Sequence, residues 1–328
     1  MAEKAIVYSS DDNYAMQLGI SLLSLLMHNS GLDISIYILS YGISEENKRY
    51  YKELGKNHQA NVTIIDITDD LFMTSYNLSQ KNVSSRSASV RLFLSKILPE
   101  DIERVLWIDA DTLILDSVHD LLVLDLQENV CGMAIDASST FKLLNGFARS
   151  DLYYNSGVMV IDMKKWRNIV FPSILFEIEK RKGKSIDEDQ SYINVVCKGM
   201  IATLDPRYNM MHAYYRASSA YHAFLRKQFL LPEETYSFTT FKEAAFSTVI
   251  VHFTNYSDSR PWEYGCEHPM KEKWLEYKNM TPWANFPLKK KSASCRGISR
   301  MKNSIMHIIY VMPLVRSVFV RAKYGLTI

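Results

Sequence analysis

The sequence lacks several patterns that would place it in a common class of protein. Its four cysteines are far apart, and none of them forms a Cys-x-x-Cys pair. This spacing argues against a disulfide framework and a cysteine zinc site, and it fits a reducing compartment. No Gly-x-Gly-x-x-Gly segment follows the first apolar run, so the fingerprint of a dinucleotide-binding Rossmann domain is missing. Residues 1–8 contain no signal-peptide core, and we therefore expect a cytosolic protein.

Acidic residues are missing from the end of the chain, where no Asp or Glu follows Glu276. The same segment holds ten Lys and Arg residues, which leaves the first 276 residues with 28 basic and 36 acidic side chains. Its apolar residues 305–315 include Pro313 and amount to about half of the ~20 residues that a membrane span requires. Short apolar runs flanked by basic residues favour an anionic membrane surface as partner, and not nucleic acid. The alternative is a C-terminal helix packed on the body.

The remaining pattern is typical of a globular α/β protein, with 47% hydrophobic and 23% charged residues among 328. Apolar runs predict strands at residues 5–9, 34–39 and 62–67, with helical periodicity between them. Ser44 is a suitable N-cap for the second of these helices. This alternation predicts parallel pairing of the strands. The same reasoning predicts helices over 87–98, 166–180 and from 190, and strands over 131–135, 158–161 and 247–253.

The most informative segment is residues 104–115, where an apolar run leads into Asp109-Ala110-Asp111 and a second apolar run follows. Asp is depleted inside strands, so both carboxylates are expected at a strand tip, where α/β sheets bind ligands. There they can share one hard divalent cation, Mg²⁺ or Mn²⁺, which also binds phosphate oxygens. The alternative is a polar turn. The haloacid dehalogenase motif fits less well, because Leu113 stands where that motif has Thr or Val.

Six separated segments line up, in order, with one known family. They are residues 8–14, 89–92, 106–111, 154–158, 189–194 and 251–254, the last followed by Pro261 and Trp262. Through these segments the chain resembles the family 8 glycosyltransferases, retaining hexosyltransferases that include bacterial lipopolysaccharide galactosyl- and glucosyltransferases and glycogenin. The resemblance runs from about residue 4 to 262 and implies the GT-A fold, an α/β architecture with a Rossmann-like mixed sheet flanked by helices. We assign residues 1–288 to this domain. Residues 289–328 would form a basic, apolar helical tail.

The resemblance implies that Asp109, Asp111 and His252 bind Mn²⁺, with Mg²⁺ as the alternative ion, and that Ala110 belongs to the same donor-binding segment. Two carboxylates and one imidazole leave coordination positions open for both phosphates of a nucleotide diphosphate. For His252 the alternative is a neutral histidine with a structural role in the core.

The resemblance also implies a cradle for the nucleotide. Ser9, Asp11, Asn13 and Tyr14 would hold the uridine, and Arg91 would reach the diphosphate or the sugar. The family pattern His-x-x-Gly-x-x-Lys-Pro-Trp is altered here, because Asn255 replaces the glycine, two residues are inserted and Arg260 replaces the lysine. Asn tolerates a left-handed backbone and Arg donates well to phosphate, so we expect an altered but functional clamp on the diphosphate.

Four residues are implied to surround the donor sugar as the catalytic part of the site: Asp136, Asn155, Asp189 and Gln190. Because Gln190 is a poor nucleophile, its position fits a front-face mechanism of retention and not double displacement through a carboxylate. In that mechanism the leaving phosphate takes the proton of the acceptor hydroxyl. Asp189 would hold donor hydroxyls and could also cap the helix that begins there.

The resemblance thus implies a Mn²⁺-dependent retaining hexosyltransferase that moves galactose or glucose from a UDP-sugar to a glycan or lipid-linked acceptor. We expect it to serve cell-surface polysaccharide or lipopolysaccharide synthesis in the cytoplasm, at the inner face of the cell membrane. The altered clamp motivates one alternative, a membrane-associated UDP-sugar-binding protein with little transferase activity. Another is a sugar-nucleotide hydrolase or nucleotidyltransferase.

Overall fold

The computed structural model describes residues 3–32, 34–68, 86–136, 145–148, 150–169, 171, 189–215, 236–254 and 260–289. Two predicted parts of the protein lie outside the described residues. They are Asn255, which is expected in the diphosphate clamp, and residues 290–328 of the tail, which are expected to bind a membrane surface. Most of the helix predicted over 166–180 lies outside them as well. Among the described residues, no helix is both long enough and apolar enough to cross a membrane.

The strands form two sheets. In chain order they are β1 (Glu3–Ser10), β2 (Ser35–Ser40), β3 (Asn61–Asp66), β4 (Ile102–Ile108), β5 (Thr112–Ile114), β6 (Cys131–Ile135), β7 (Tyr154–Asp162), β8 (Ile201–Thr203), β9 (Met210–Met211) and β10 (Ile250–His252). The larger sheet has the order β3-β2-β1-β4-β7-β6-β8, and the smaller has the order β5-β10-β9. Strands β1, β2 and β3 pair in parallel, as predicted, whereas β7 runs antiparallel to both of its neighbours. The large sheet is therefore mixed.

Helices cover the sheet and connect its strands. The longer ones are α1 (Ala15–His28), α2 (Glu45–Asn57), α3 (Asp189–Val196), α4 (Phe238–Phe246) and α5 (Lys271–Asn279). Short helical segments lie at Met163–Trp166, His119–Leu122 and His212–Tyr215, and 3-10 turns at Asp12–Tyr14 and Pro206–Tyr208. The Ser44 side chain accepts from the Asn47 N–H at 3.5 Å, so the predicted N-cap of α2 is confirmed.

The helix predicted over 87–98 is wrong as one continuous element. The chain forms helical turns at Arg86–Ser89 and Leu94–Ile97, and a 3-10 turn at Val90–Phe93 separates them. A 3-10 turn is tighter than an α-turn and shifts the direction of its side chains. All four residues of this turn are buried, including Arg91, so interior contacts outweigh the helical periodicity of the segment.

The large sheet is buried on both faces. Along β1, Ala5 and Val7 belong to one hydrophobic cluster, whereas Ile6 and Tyr8 belong to the other. Successive side chains of a strand point to opposite faces, so this alternation shows that apolar layers cover both sides. The second cluster extends to Trp283, and the Tyr277 hydroxyl of α5 lies 2.7 Å from His28 Nε2 of α1.

Strand β7 begins earlier than the sequence predicts. The expected strand starts at residue 158, but β7 starts at Tyr154 and includes the polar stretch Asn155-Ser156-Gly157. The register with β6 shifts there, because Met133 pairs with Met159 while the next residue, Ala134, pairs with Asn155. Such bulges bend a strand and redirect its side chains, often beside active sites. Polar residues and a glycine resemble a loop in sequence, and here they form a bulge.

The small sheet fixes one key side chain. His252 pairs with Thr112 of β5 in antiparallel register and with Met211 of β9 in parallel register. The segment Asp109–Asp111 connects β4 of the large sheet to β5 of the small sheet. The two sheets therefore meet at this segment.

Candidate active site

Two carboxylates and an imidazole converge where the sheets meet. Asp109 directly follows β4 and Asp111 directly precedes β5, so the prediction that both lie at a strand tip is confirmed. His252 Nε2 lies 3.3 Å from Asp111 Oδ1 and 3.9 Å from Asp109 Oδ2. One ligand atom from each residue lies within 4.8 Å of the other two, close enough for a single metal ion.

The chemistry of these donors fits a hard divalent cation. Mg²⁺ and Mn²⁺ accept carboxylate oxygens readily, and Mn²⁺ also accepts imidazole nitrogen. The His252 side chain is 5% exposed, whereas those of Asp109 and Asp111 are 25% and 15% exposed, so the carboxylates border solvent. Burial raises the pKa of Asp111, but His252 and Arg260 lower it by more, and the pKa lies below its ordinary value. The lowered pKa keeps Asp111 anionic at neutral pH.

We call Asp109, Asp111 and His252 the metal group. Arg91 connects this group to Asp189, at the start of α3. Its Nη2 donates to Asp109 Oδ1 at 2.8 Å, its Nε lies 2.8 Å from Asp189 Oδ2, and its Nη1 donates to the Ser156 carbonyl. The guanidinium also stacks 4.6 Å from the ring centroid of Trp107, whose Nε1 donates to Asp109 Oδ1 at 2.9 Å. The Arg91 side chain is 3% exposed. It is therefore a buried cation between two carboxylates, not a solvated residue on a helix face.

The four residues predicted around the sugar are connected by hydrogen bonds. Asn155 Nδ2 donates to Gln190 Oε1 at 3.0 Å, and Gln190 Nε2 donates to Asp136 Oδ2 at 3.4 Å. The Ser156 hydroxyl donates to Asp189 Oδ2 at 3.3 Å. Burial raises the pKa of Asp189 by more than Arg91 lowers it, so this pKa lies above its ordinary value. These residues are joined to the candidate metal ligands through Arg91, which binds both Asp109 and Asp189.

Sequence reasoning missed two residues of this site. Asn209, which is fully buried, lies between His252 and Asn155 and is within 2.9 Å of both. Gly157 lies against the His252 ring, and a Cβ at this position would overlap the ring. The sequence places Gly157 directly before the predicted strand 158–161, and extending that strand by one residue would have given the recognised signal of a strand glycine beside a close approach. Asn209 gave no such signal. We call Arg91, Asn155, Asp189, Asn209 and His252 the inner cluster.

A second group of predicted residues lies at the edge of the site. Arg260 donates to the Tyr14 hydroxyl, and its Nη2 lies 3.8 Å from Asp111 Oδ2. Its guanidinium also lies 5.4 Å from the ring centroid of Trp262. Arg260 thus connects Tyr14, in the loop after β1, to Asp111. We call Asp11, Asn13, Tyr14 and Arg260 the outer rim.

The remaining loop residues mainly contact one another. The Asp11 carboxylate accepts from the backbone and the side-chain amide of Asn13, at 3.1 and 3.2 Å, and so caps the first 3-10 turn. The Ser9 hydroxyl donates to the Leu39 carbonyl of β2 at 3.2 Å. Ala110 is 8% exposed and lies between the two acids.

The family model described as glycosyl transferase family 8 matches residues 5–266. General stress protein A of Bacillus subtilis (strain 168) is 24% identical over 85% of this chain and 94% of its own length. Lipopolysaccharide 1,2-glucosyltransferase of Escherichia coli (strain K12) is 23% identical over 95% of this chain and 88% of its own.

A solved structure supports the fold independently. The crystal structure of the galactosyltransferase LgtC in complex with donor and acceptor sugar analogues matches with a TM-score of 0.68. It is 24% identical in sequence, and the match covers 89% of this chain and 99% of that one. This likeness confirms the GT-A fold expected from the sequence.

Proposed function

Because the chain belongs to glycosyl transferase family 8, we propose that it transfers galactose or glucose from a UDP-sugar to a glycan or lipid-linked acceptor, with retention of configuration. One observation carries this proposal. The group Asp109, Asp111 and His252 is joined through buried hydrogen bonds to the residues around Gln190. A diphosphate bound beside Asp109, Asp111 and His252 would place the attached sugar beside Gln190.

Different residues of the site would bind different parts of the donor. Mn²⁺ or Mg²⁺ held by Asp109, Asp111 and His252 would neutralise the charge of the leaving diphosphate. Arg91 is fixed by Asp109 and Asp189, so it would keep both carboxylates in place and favour an anionic ligand nearby. Arg260 at the rim would donate to a phosphate oxygen, as arginine commonly does.

Retention is proposed from the identity of the residue beside the sugar. Gln190 presents an amide where a double-displacement enzyme would need a carboxylate nucleophile. Asn155 and the Ser156 N–H both donate to Gln190 Oε1, at 3.0 and 3.3 Å, and so hold this amide in one orientation. A neutral oxygen held in this way would stabilise a developing oxocarbenium ion without forming a stable bond to it.

The decisive experiment is a panel of UDP-sugars incubated with the protein and Mn²⁺, with and without a soluble glycan acceptor, in which release of UDP is measured. We expect acceptor-dependent release from UDP-galactose or UDP-glucose. Asp111→Asn should lose at least about 1,000-fold of this rate, equivalent to ~4 kcal/mol in activation free energy, because it removes an anionic ligand. The exposed Asp116 gives a matched control, and Asp116→Asn should keep the wild-type rate.

Other results would favour the alternatives. UDP binding without release from any sugar would favour a UDP-sugar-binding protein, and release that ignores acceptor would favour a hydrolase. Full activity of Asp111→Asn would contradict the metal role. Attachment to an anionic membrane through residues 289–328 is a further part of the proposal, motivated by their charge, and co-sedimentation with anionic vesicles would measure it.

A further inference from the structure

Asn209 lies at a junction of the buried hydrogen bonds in the site. It follows the 3-10 turn Pro206–Tyr208 and directly precedes β9, which pairs in parallel with β10. Its Oδ1 is 2.9 Å from His252 Nδ1, and its Nδ2 donates to Asn155 Oδ1 at 2.9 Å. The side chain therefore bridges a potential metal ligand and a residue placed beside the sugar.

Backbone N–H donors determine the orientation of the side-chain amides of Asn155, Asn209 and Gln190. The Gly157 N–H donates to Asn155 at 3.0 Å, so the receiving atom must be the Asn155 oxygen. Because that oxygen also faces Asn209, Asn209 must present its Nδ2 to it. At the other end, the Ser156 N–H donates to Gln190 Oε1 and fixes the Gln190 amide in the same manner. The side-chain amides of Asn155, Asn209 and Gln190 therefore each have only one orientation that satisfies these hydrogen bonds.

The orientation of the Asn209 amide determines which nitrogen of His252 carries the proton. With its Nδ2 committed to Asn155, Asn209 presents only an oxygen to His252. An oxygen acceptor requires His252 Nδ1 to carry a proton, which in the neutral ring leaves the lone pair on Nε2. Nε2 is the nitrogen that faces Asp111 and Asp109. A histidine that ligates a metal commonly donates its other N–H to such an acceptor, which fixes both tautomer and ring orientation.

We propose that Asn209 is a positioning residue that fixes the tautomer of His252 for metal binding and, through Asn155, couples the metal group to Gln190. This inference rests on the proposed function, because it takes Asp109, Asp111 and His252 as cation ligands. Gly157 completes the arrangement, since its missing Cβ leaves space for the His252 ring and its N–H sets the direction of the hydrogen bonds.

Two substitutions separate the two contacts of Asn209. Asn209→Leu removes both, while Asn209→Asp keeps an acceptor toward His252 but places an oxygen against Asn155 Oδ1. Removal of such a supporting group commonly lowers metal affinity by about 10- to 100-fold. We therefore expect Asn209→Leu to weaken Mn²⁺ binding by that factor, measured by electron paramagnetic resonance in the presence of UDP. Asn209→Asp should stay within about threefold of wild type, because it keeps the acceptor that the metal-ligating histidine requires.

Controls exclude a general structural effect. Asn29 also donates and accepts through its side-chain amide, to the Leu25 carbonyl and from the Val118 N–H, in partly buried hydrogen bonds at the end of α1. Asn29→Leu should lower the melting temperature and leave Mn²⁺ affinity unchanged. If Asn209→Leu does not fold, Asn209→Ala takes its place, with circular dichroism as the check in every case.

The coupling has its own readout. At saturating Mn²⁺, Asn209→Asp should lower kcat for hexosyl transfer by about tenfold. The reason is that displaced Asn155 and Gln190 would slow the reaction even after the metal has bound. Wild-type Mn²⁺ affinity in folded Asn209→Leu or Asn209→Ala would overturn the proposal, as would absence of Mn²⁺ binding by the wild type. If the wild type binds Mn²⁺ but transfers no sugar, the proposed function fails, and the affinity ratio alone still decides the role of Asn209.

Discussion

The inner cluster and the outer rim sit on the same site but are held in different ways. Arg91, Asn155, Asp189, Asn209 and His252 are each at most 7% exposed and hydrogen-bond one another or the strand β7. In the rim, Asp11 and Asn13 bond mainly to each other, and Arg260, whose side chain is 18% exposed, donates to Tyr14 and lies 3.8 Å from Asp111.

This difference has an energetic reason. A buried polar group that loses its partner has no water to replace it, whereas an exposed group exchanges one partner for another at little cost. Changes in the inner cluster should therefore lower stability and activity together. Changes in the rim should alter the affinity for the nucleotide and leave the fold intact. Variants of the two regions test this contrast.

The largest effect on stability is expected at Arg91. Arg91→Met keeps most of the side-chain volume but leaves Asp189 and Asp109 without their cation. Breaking a buried ion pair in this way costs roughly 3–5 kcal/mol. We expect a loss of that size in the free energy of unfolding, measured by urea denaturation.

Arg207 provides the matched control for that loss. Its side chain is 36% exposed and lies 3.8 Å from Asp120. Exposed ion pairs contribute at most about 1 kcal/mol, so Arg207→Met should cost no more than that. Equal losses in both variants would show that burial of Arg91 does not matter, and the contrast between the regions would be lost.

A smaller effect, measured as a change in rate, is expected at Gln190, which borders the inner cluster. Gln190→Ala removes the amide oxygen proposed to stabilise the sugar cation, and it should lower kcat by about 10- to 100-fold, or ~1.4–2.7 kcal/mol. The product should still have the retained configuration, as determined by ¹H NMR of the anomeric proton. A stable sugar adduct on Gln190, or an inverted product, would refute the assigned role.

The inner cluster is also where sequence reasoning reached its limit. The pair Asp109 and Asp111 could be predicted because the pattern is local, with a strand on each side of a short polar segment. The contact of Asn209 with His252 depends on the pairing of β9 with β10, two strands about forty residues apart, and no local pattern encodes that register. Asn155 and Gly157 belong to a bulge that looks like a loop in sequence.

Arg91 illustrates a different limit. Its segment has the periodicity of a helix, which predicts a solvated arginine, and only the family resemblance gave it a role. In the 3-10 turn at Val90–Phe93, Arg91 donates to the nearby Ala88 carbonyl and also binds Asp109, Ser156 and Asp189, which lie on other elements. Tertiary contacts decided the local conformation there, as they often do for short helical segments.

The rim should respond differently to the loss of its own arginine. Arg260→Leu removes a donor for phosphate, and its partners Tyr14 and Asp111 are both partly exposed. We expect KM for the UDP-sugar to rise about three- to tenfold at nearly constant kcat, the signature of lost uniform binding. The melting temperature should fall less than in Arg91→Met, because the side chain of Arg260 is 18% exposed and that of Arg91 is 3% exposed. Arg260→Lys keeps the charge and should recover most of the affinity.

The smallest effect is expected at Asp12, which stands between the rim residues Asp11 and Asn13. Its Oδ1 accepts from the Ser44 N–H at 2.9 Å and from Asn47 Nδ2 at 2.8 Å, which fastens the loop to the start of α2. The Ser44 N–H is the main reason that the pKa of Asp12 lies below its ordinary value. A helix-terminal contact of this kind contributes about 0.5–1 kcal/mol, so Asp12→Ala should lose that amount at neutral pH.

The sign of the pH dependence follows from the lowered pKa of Asp12. Its stabilising contribution is fully present above the ordinary pKa of aspartate, about 3.9, and is lost as the pH falls through the lower pKa of the folded protein. Urea denaturation of wild type and Asp12→Ala should therefore differ at pH ~7 and converge in acid. Asp12→Asn keeps a neutral acceptor for the Ser44 N–H, so its stability should depend less on pH than that of the wild type. A loss of several kcal/mol in Asp12→Ala would place the rim in the same energetic class as Arg91, and the contrast drawn between the two regions would then be wrong.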